Sequence, residues 1–368
     1  MSVTSGFPLM RGIQSWICTL FLLTALPALA QPVNSVGMTR FDAAGLPVTL
    51  LYPTSAPAQQ VHFGPFQINV AMDATLLPGT YPLVVVSHGS GGSPLADHEV
   101  AATLVAAGFV VAQPLHQGDN HLDSAASGAG SWRLRPSEIT QLIDALEQAP
   151  QWSESLQLER VGVHGMSAGG VGALALAGAQ WRMFDLIRHC SQHPEDEAFC
   201  FSGAVDPEQR AERQAGFARA MNAPVAYLPE SLTAWQGGRT PMSSGDDPRP
   251  DQRIVAVTLA VPVAAIFGAE SLARISIPVG VVRASGDQLL LPQHHTDHVL
   301  RHCTSCQLLA DVDAVHSDLL SPLPHEVAEM IALRFPYGAL PDPDFDASKR
   351  AIAFEQVAAF FTAQLGQP

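Results

Sequence analysis

The sequence predicts an α/β domain with a mostly parallel central sheet, helices on both of its faces and one irregular insertion. Three observations carry that prediction. From residue 81 onward, short and wholly apolar runs alternate with stretches of helical periodicity; this is the rhythm of βαβ units whose strands are buried on both sides. Residues 31 to 80 instead carry Pro, Gly and Thr among short alternating runs, the pattern of antiparallel strands at a sheet edge. Finally, Gly165-Met166-Ser167-Ala168-Gly169 joins an apolar run directly to a Gly/Ala-rich helical stretch.

The first thirty residues read as an export signal. Arg11 supplies the positive start, Trp16 to Leu26 the apolar core, and Ala28-Leu29-Ala30 a small-x-small cleavage site. This places the protein in the periplasm or outside the cell, cut after about Ala30. The run is too short, and too soon followed by Pro27, for a membrane span. No later run is longer, so no stable span is expected. Residues 31–368 then form one domain, interrupted by a cap or lid over about 180–250.

Within that domain, Val48 to Tyr52 and Gln67 to Val70 read as edge strands, and Leu83 to Val86 as a buried strand entering the loop His88-Gly89-Ser90-Gly91-Gly92. Asp97 to Ala107 is helical and stops at Gly108. Phe109 to Ala112 is the next strand. Pro136 is expected to open a helix through Leu146, with Ile139, Leu142, Ile143 and Leu146 on one face. Val161 to His164 is a strand, followed by a helix from Ala168 to Ala179. Regularity fails between about Gln180 and Pro250, apart from a polar helical stretch around Glu208 to Ala220. A segment of that size inside an α/β domain reads as a cap. Strands resume at Ile254, Val279 and Gln307, and a helix from Ala351 to Gln364 closes the chain.

Composition excludes several functions. The chain is 47% hydrophobic, 14% charged and carries a net charge of −15, so neither disorder nor nucleic-acid binding fits. Lys349 is its only lysine, which leaves Schiff-base, P-loop and Ser–Lys chemistry without a residue. Beyond Cys18 in the signal, four cysteines remain: Cys190, Cys200, Cys303 and Cys306. An even number in an exported chain predicts two disulfides. The local pairs Cys190–Cys200 and Cys303–Cys306 are preferred over the other two connectivities and over a redox or zinc role for Cys303-Thr-Ser-Cys306.

The chemistry centres on Ser167. A G-x-S-x-G between a buried strand and a helix is the setting of a nucleophile elbow, a strained turn that lifts the serine hydroxyl above the sheet. The helix behind it favours negative charge at its N-terminus. An oxyanion hole needs two backbone N–H donors; Ala168 and Ser90 are expected to supply them, with Gly89, His116 and Met166 as further pocket residues. Chain order places an acid and then a histidine after the serine. Asp287 follows the strand at Val279, and His316 follows the strand at Gln307; both sit at C-terminal strand ends, where catalytic groups collect. Asp206, Asp311 and Asp313 remain alternative acids, and His302 and His325 alternative bases. His294 and His298 stand one helical turn apart and could pair on a metal, but the segment also reads as the polar start of a helix. No metal and no organic cofactor are expected.

Together the glycine loop at His88, the His116-Gln117-Gly118-Asp119 loop, Arg135-Pro136, the Ser167 motif, Asp287 and His316 resemble the α/β-hydrolase superfamily. Within it they look like the predicted dienelactone hydrolase group, close to the platelet-activating-factor acetylhydrolases and more distantly similar to cutinase-like polyester hydrolases. The resemblance spans roughly residues 35 to 365. It implies a serine carboxylesterase acting on a small-molecule or lipid ester through an acyl-enzyme, with the triad Ser167, His316 and Asp287. True dienelactone hydrolases use a cysteine where this chain has Ser167, so an ester rather than that lactone is the implied substrate. Met166 stands where relatives often carry His. A lipase-like or phospholipase-like enzyme with an apolar pocket beneath the cap is the second reading. A non-catalytic binding protein would require a broken triad, and a serine peptidase would normally add a gating domain for which there is no room.

Overall fold

The computed structural model describes residues 1–2, 35–201, 206–222, 251–334 and 340–366. The export signal expected over residues 1–30 is outside them except for its first two residues, as is the Gly/Ser/Asp/Pro-rich run at 237–250. Residues Val33–Pro368 cluster as one unit.

Among the described residues, ten strands form one sheet. In chain order they are β1 (Ser35–Ala43), β2 (Leu46–Thr54), β3 (Gln59–Phe63), β4 (Phe66–Met72), β5 (Tyr81–Ser87), β6 (Val110–Pro114), β7 (Leu156–Met166), β8 (Ile254–Ala260), β9 (Val279–Ala284) and β10 (Cys306–Val312). Their spatial order is β10-β9-β8-β7-β5-β6-β2-β1-β4-β3. The run from β10 to β6 is parallel throughout. β2 then pairs antiparallel with β6 and with β1. The composition explains the division. Every residue of β5 and of β6 is buried, as strands covered on both faces require. At the sheet's end β4 alternates buried and exposed positions over most of its length, and β3 has only exposed and half-buried ones.

Two hydrophobic layers cover the sheet. On one face α2 (Ala129–Glu147) packs against α3 (Gly169–Leu176), and Ile139, Leu142, Val171 and Leu174 join Leu83 and Val163 in one core. On the other, α1 (His98–Ala106) meets the C-terminal helix Ala347–Leu365, with Leu104, Phe354 and Phe361 against Val84 and Val111.

One expected boundary is wrong. α2 does not open at Pro136 but seven residues earlier, at Ala129, with Pro136 in its interior. Proline there gives up the bond to the carbonyl of Trp132. Burial of Ser131, Trp132 and Arg135 on the first two turns offsets that loss, because packing outweighs propensity.

The segment between α3 and β8 is an insertion, and it is more regular than its sequence suggests. It holds α4 (Met183–Gln192) and α5 (Pro207–Asn222), which pack on each other. A disulfide joins Cys190 to Cys200, and a second joins Cys303 to Cys306, as the preferred pairing has it. No helix among the described residues is long and apolar enough to cross a membrane.

Helix α3 reaches the sheet so closely that its first glycine has no substitute. A Cβ on Gly169 would lie 1.9 Å from the carbonyl oxygen of Ser87, and one on Gly165 would lie 2.6 Å from that of Gly169. Both obstacles are backbone, which cannot rotate away. Gly169→Ala is therefore expected to cost more than about 3 kcal/mol, measured as a fall in Tm. Gly268→Ala, whose Cβ meets nothing within 4 Å, should stay within about 0.5 kcal/mol. Equal melting of the two variants would contradict the close approach.

Candidate active site

Ser167 occupies the turn between β7 and α3 with φ +53°, the left-handed region that a residue with a Cβ seldom adopts. Surrounding backbone bonds hold it there. The N–H of Ser167 donates to Ala260 O at 3.0 Å, and Ser167 O accepts from the N–H groups of Gly170 and Val263, each at 2.9 Å. Strain persists only where neighbours over-determine it.

Asp287 and His316 come from the loops after β9 and β10, adjacent strands whose ends are tied by Gly286 N–H to Ala314 O at 2.9 Å. His316 Nδ1 lies 2.7 Å from Asp287 Oδ2. The other carboxylate oxygen, Oδ1, accepts from the N–H groups of Leu289 and Leu290 at 2.8 and 2.9 Å. The acid is thus held by its own turn, and both partners are buried. Ser167 and His316 line one cavity together.

The glycine loop after β5 presses against the serine. A Cβ on Gly89 would sit 3.3 Å from Met166 Sδ, 3.4 Å from Ser167 Cβ and 3.8 Å from Ser167 Oγ. Gly89, Ser90, Met166 and Ala168 all line the same cavity as Ser167. The sequence expectations for these residues therefore converge on one place.

His116 does not join them. It is wholly buried and absent from the cavity wall, so of its two expected roles, pocket residue and hydrogen-bonded loop histidine, it takes the second. Its Nε2 lies 2.7 Å from Ser87 Oγ and its Nδ1 2.6 Å from Glu138 Oε2. Its backbone N–H donates to His88 Nε2 at 3.2 Å. That nitrogen must therefore accept, which leaves His88 Nδ1–H to donate to Gly89 O at 2.7 Å. Burial pushes both imidazoles well below their usual pKa, with the charge of Arg135 acting in the same sense. They are neutral braces beneath the loop.

The alternative acids and bases are committed elsewhere. Asp206 accepts from Gln209 N–H at the start of α5; Asp311 pairs with Arg283 and Asp313 with Lys349 at the surface. His325 is exposed, 3.5 Å from Glu329, and the His302 ring faces His298. The helix α6 (Thr296–His302) starts after His294, so His294 and His298 are not a helical pair. His298 Nε2 lies 2.8 Å from Phe267 O.

What sequence reasoning missed is the support. Arg135 is completely buried. Its Nη2 donates to Asp119 Oδ2 at 2.9 Å, its Nε to Ser131 Oγ at 3.0 Å, and its Nη1 to His88 O. Asp119 Oδ1 in turn accepts from Ser90 Oγ at 2.7 Å, Gly91 N–H at 2.9 Å and Ser127 Oγ at 2.8 Å. One ion pair therefore grips the glycine loop from below. A signal was present: Arg135 lies four residues before Ile139, on the apolar face of its helix.

The model of the prolyl oligopeptidase family matches residues 96–189, which include Ser167 but neither Asp287 nor His316. No curated protein sequence matches the chain. Among solved structures, a ferulic acid esterase from Streptomyces cinnamoneus matches with a TM-score of 0.53 and 18% identity, over 94% of this chain and 93% of that one. The fold is the α/β-hydrolase fold.

Burial acts to raise the Asp119 pKa, but Arg135 and the hydrogen bonds from Ser90 and Ser127 outweigh it and hold the value at about 2. A depressed carboxylate stabilises the fold above its unfolded pKa, near 4, and that contribution fades as pH falls toward 2. The wild-type Tm should consequently drop more steeply between pH 4 and 2 than that of Asp119→Asn. At pH 7, Arg135→Ala should cost about 3–5 kcal/mol by stranding a buried charge. Parallel acid profiles in thermal melts would remove Asp119 from this role.

Proposed function

We propose that the protein is an exported carboxylic-ester hydrolase, with Ser167 as nucleophile, His316 as base and Asp287 as the group that orients it. The observation that carries this reading is the 2.7 Å contact of His316 Nδ1 with Asp287, opening on the same cavity as a serine held at positive φ. His316 takes the proton from Ser167 Oγ as that oxygen attacks the ester carbonyl. The N–H groups of Ser90 and Ala168 receive the oxyanion. Collapse expels the alcohol, to which His316 returns the proton. Water, deprotonated by the same imidazole, then cleaves the acyl-enzyme and frees the serine.

The cavity speaks to the substrate. Its volume is about 1400 Å³, and Phe41, Phe63, Trp132, Leu186, Phe199 and Phe217 line it. Such a space suits a bulky apolar acyl or aryl group and favours the lipase-like or polyester-like reading over a small acyl ester. Leu186, Phe199 and Phe217 belong to the insertion, which supports its role as a cap over the acyl site. The likeness to a ferulic acid esterase is compatible with an aromatic acyl group. Within the superfamily, the motifs fit the predicted dienelactone hydrolase and platelet-activating-factor acetylhydrolase group. The two disulfides suit export to an oxidising compartment.

A peptidase has the prolyl oligopeptidase match behind it, and paired substrates separate the readings. On p-nitrophenyl acetate, butyrate, octanoate and palmitate, kcat/KM should rise from acetate to octanoate, and Ser167→Ala should lose at least about 10³-fold in kcat. A dipeptidyl p-nitroanilide should turn over far more slowly. Activity unchanged in Ser167→Ala, or an inert wild type, would refute the proposal; preference for the anilide would favour the peptidase.

A further inference from the structure

Beside the insertion, away from the cavity wall, three imidazoles gather. His189 lies on α4, His193 directly after it, and His294 in the loop that leads from Asp287 toward α6. Their ring centroids are separated by 5.1 Å (189–193), 5.1 Å (189–294) and 4.4 Å (193–294). One ring nitrogen from each can be chosen so that all three lie within 4.8 Å of one another. Tetrahedral zinc, bound at about 2.0–2.1 Å, sets ligand nitrogens about 3.4 Å apart. The rings therefore need close by no more than about 1.4 Å.

The surroundings have the chemistry of a metal's outer shell. His189 Nε2 lies 2.8 Å from Asp196 Oδ2. His193 Nδ1 and His294 Nε2 lie 3.1 and 2.9 Å from the same oxygen of Glu195. An imidazole has two nitrogens, so a carboxylate can hold the ring through one while the other ligates. Asp196 is fully buried, and its Oδ1 has no hydrogen-bond partner among the described residues, while its Oδ2 also meets His295 Nε2 at 2.9 Å. The Cys190–Cys200 disulfide closes the short loop that carries His193, Glu195 and Asp196, which limits the ordering still required when an ion binds.

We propose that His189, His193 and His294 bind one divalent transition-metal ion of the zinc class, and that the ion clamps the insertion to the loop following Asp287. Imidazole donors select this class over calcium and magnesium, which take oxygen ligands. The site is structural, since none of the three histidines lines the cavity. It differs from the metal pair His294 and His298 that the sequence suggested, because His298 is turned to Phe267 O.

The test is a calorimetric titration of zinc chloride into untagged, chelator-stripped full-length protein, with metal counted by elemental analysis and Tm followed against zinc concentration. One zinc per chain and a rise in Tm are expected. His193→Ala and His294→Ala should each weaken binding at least about 10-fold, and Glu195→Gln about 10–100-fold; the His193 and Glu195 side chains are 41% and 52% exposed, so these variants keep the fold. His325→Ala, at a side chain 83% exposed, should bind as wild type. Wild-type stoichiometry well below one, or equal affinity in His193→Ala, His294→Ala and wild type, overturns the proposal.

Discussion

A guanidinium removed from water has to recover its hydration through hydrogen bonds, and at Arg135 that requirement organises the site. The side chain is fully buried and reaches Asp119, Ser131 and the His88 carbonyl. Asp119 passes the grip on to Ser90 and Gly91. Two neutral histidines and Glu138 fill the space beneath. The glycine loop can thus present its N–H groups to the cavity without a side chain of its own to hold it. Electrostatic stabilisation of an oxyanion depends on donors that are already in place, so in the proposed ester hydrolysis the ion pair would matter to chemistry in which it takes no part.

The elbow depends on a second constraint, the exclusion of Cβ atoms. Ser167 is held at positive φ between two glycines whose replacement would meet backbone at 2.6 and 1.9 Å. Their absence of side chains lets α3 descend onto β5 and brings Gly89 within van der Waals reach of the serine. Ser167, the glycine loop and the helix N-terminus therefore share one small volume. Asp287 and His316 reach it from the loops after β9 and β10, and the turn at Asp287 orients the pair.

The insertion does two kinds of work in this arrangement. Its aromatic side chains, Phe199 and Phe217, complete the apolar cavity. Its polar side meets the loop after Asp287 through Asp196 and His295, and His295 Nδ1 accepts from the N–H of Ala264 at 3.0 Å. Among its described residues the segment has only a small core of its own, Cys190, Cys200 and Phe201, so such ties and its disulfide hold it beside the cavity.

The sequence by itself determined the sheet's buried strands, because a continuous apolar run such as Leu83 to Val86 has only one use in a domain of this kind. It also determined the strained turn at Ser167, because G-x-S-x-G between strand and helix is a steric requirement written in adjacent residues, and it pointed to Asp287 and His316 at the ends of two later strands. Local cysteine spacing pointed to the observed disulfides for the same reason: the partners are neighbours in the chain. What only the tertiary structure decided were contacts between distant positions. The start of α2 ahead of Pro136 followed from the burial of Trp132 and Arg135 against other elements. His116, a pocket candidate or a hydrogen-bonded loop residue by sequence, is a brace because Ser87 and Glu138 close around it. His189 and His294, 105 positions apart in the numbering, met because the insertion folds back onto the loop after Asp287. Periodicity and motif report interactions within a few residues; polar networks are built from groups that find partners only when the sheet brings them together.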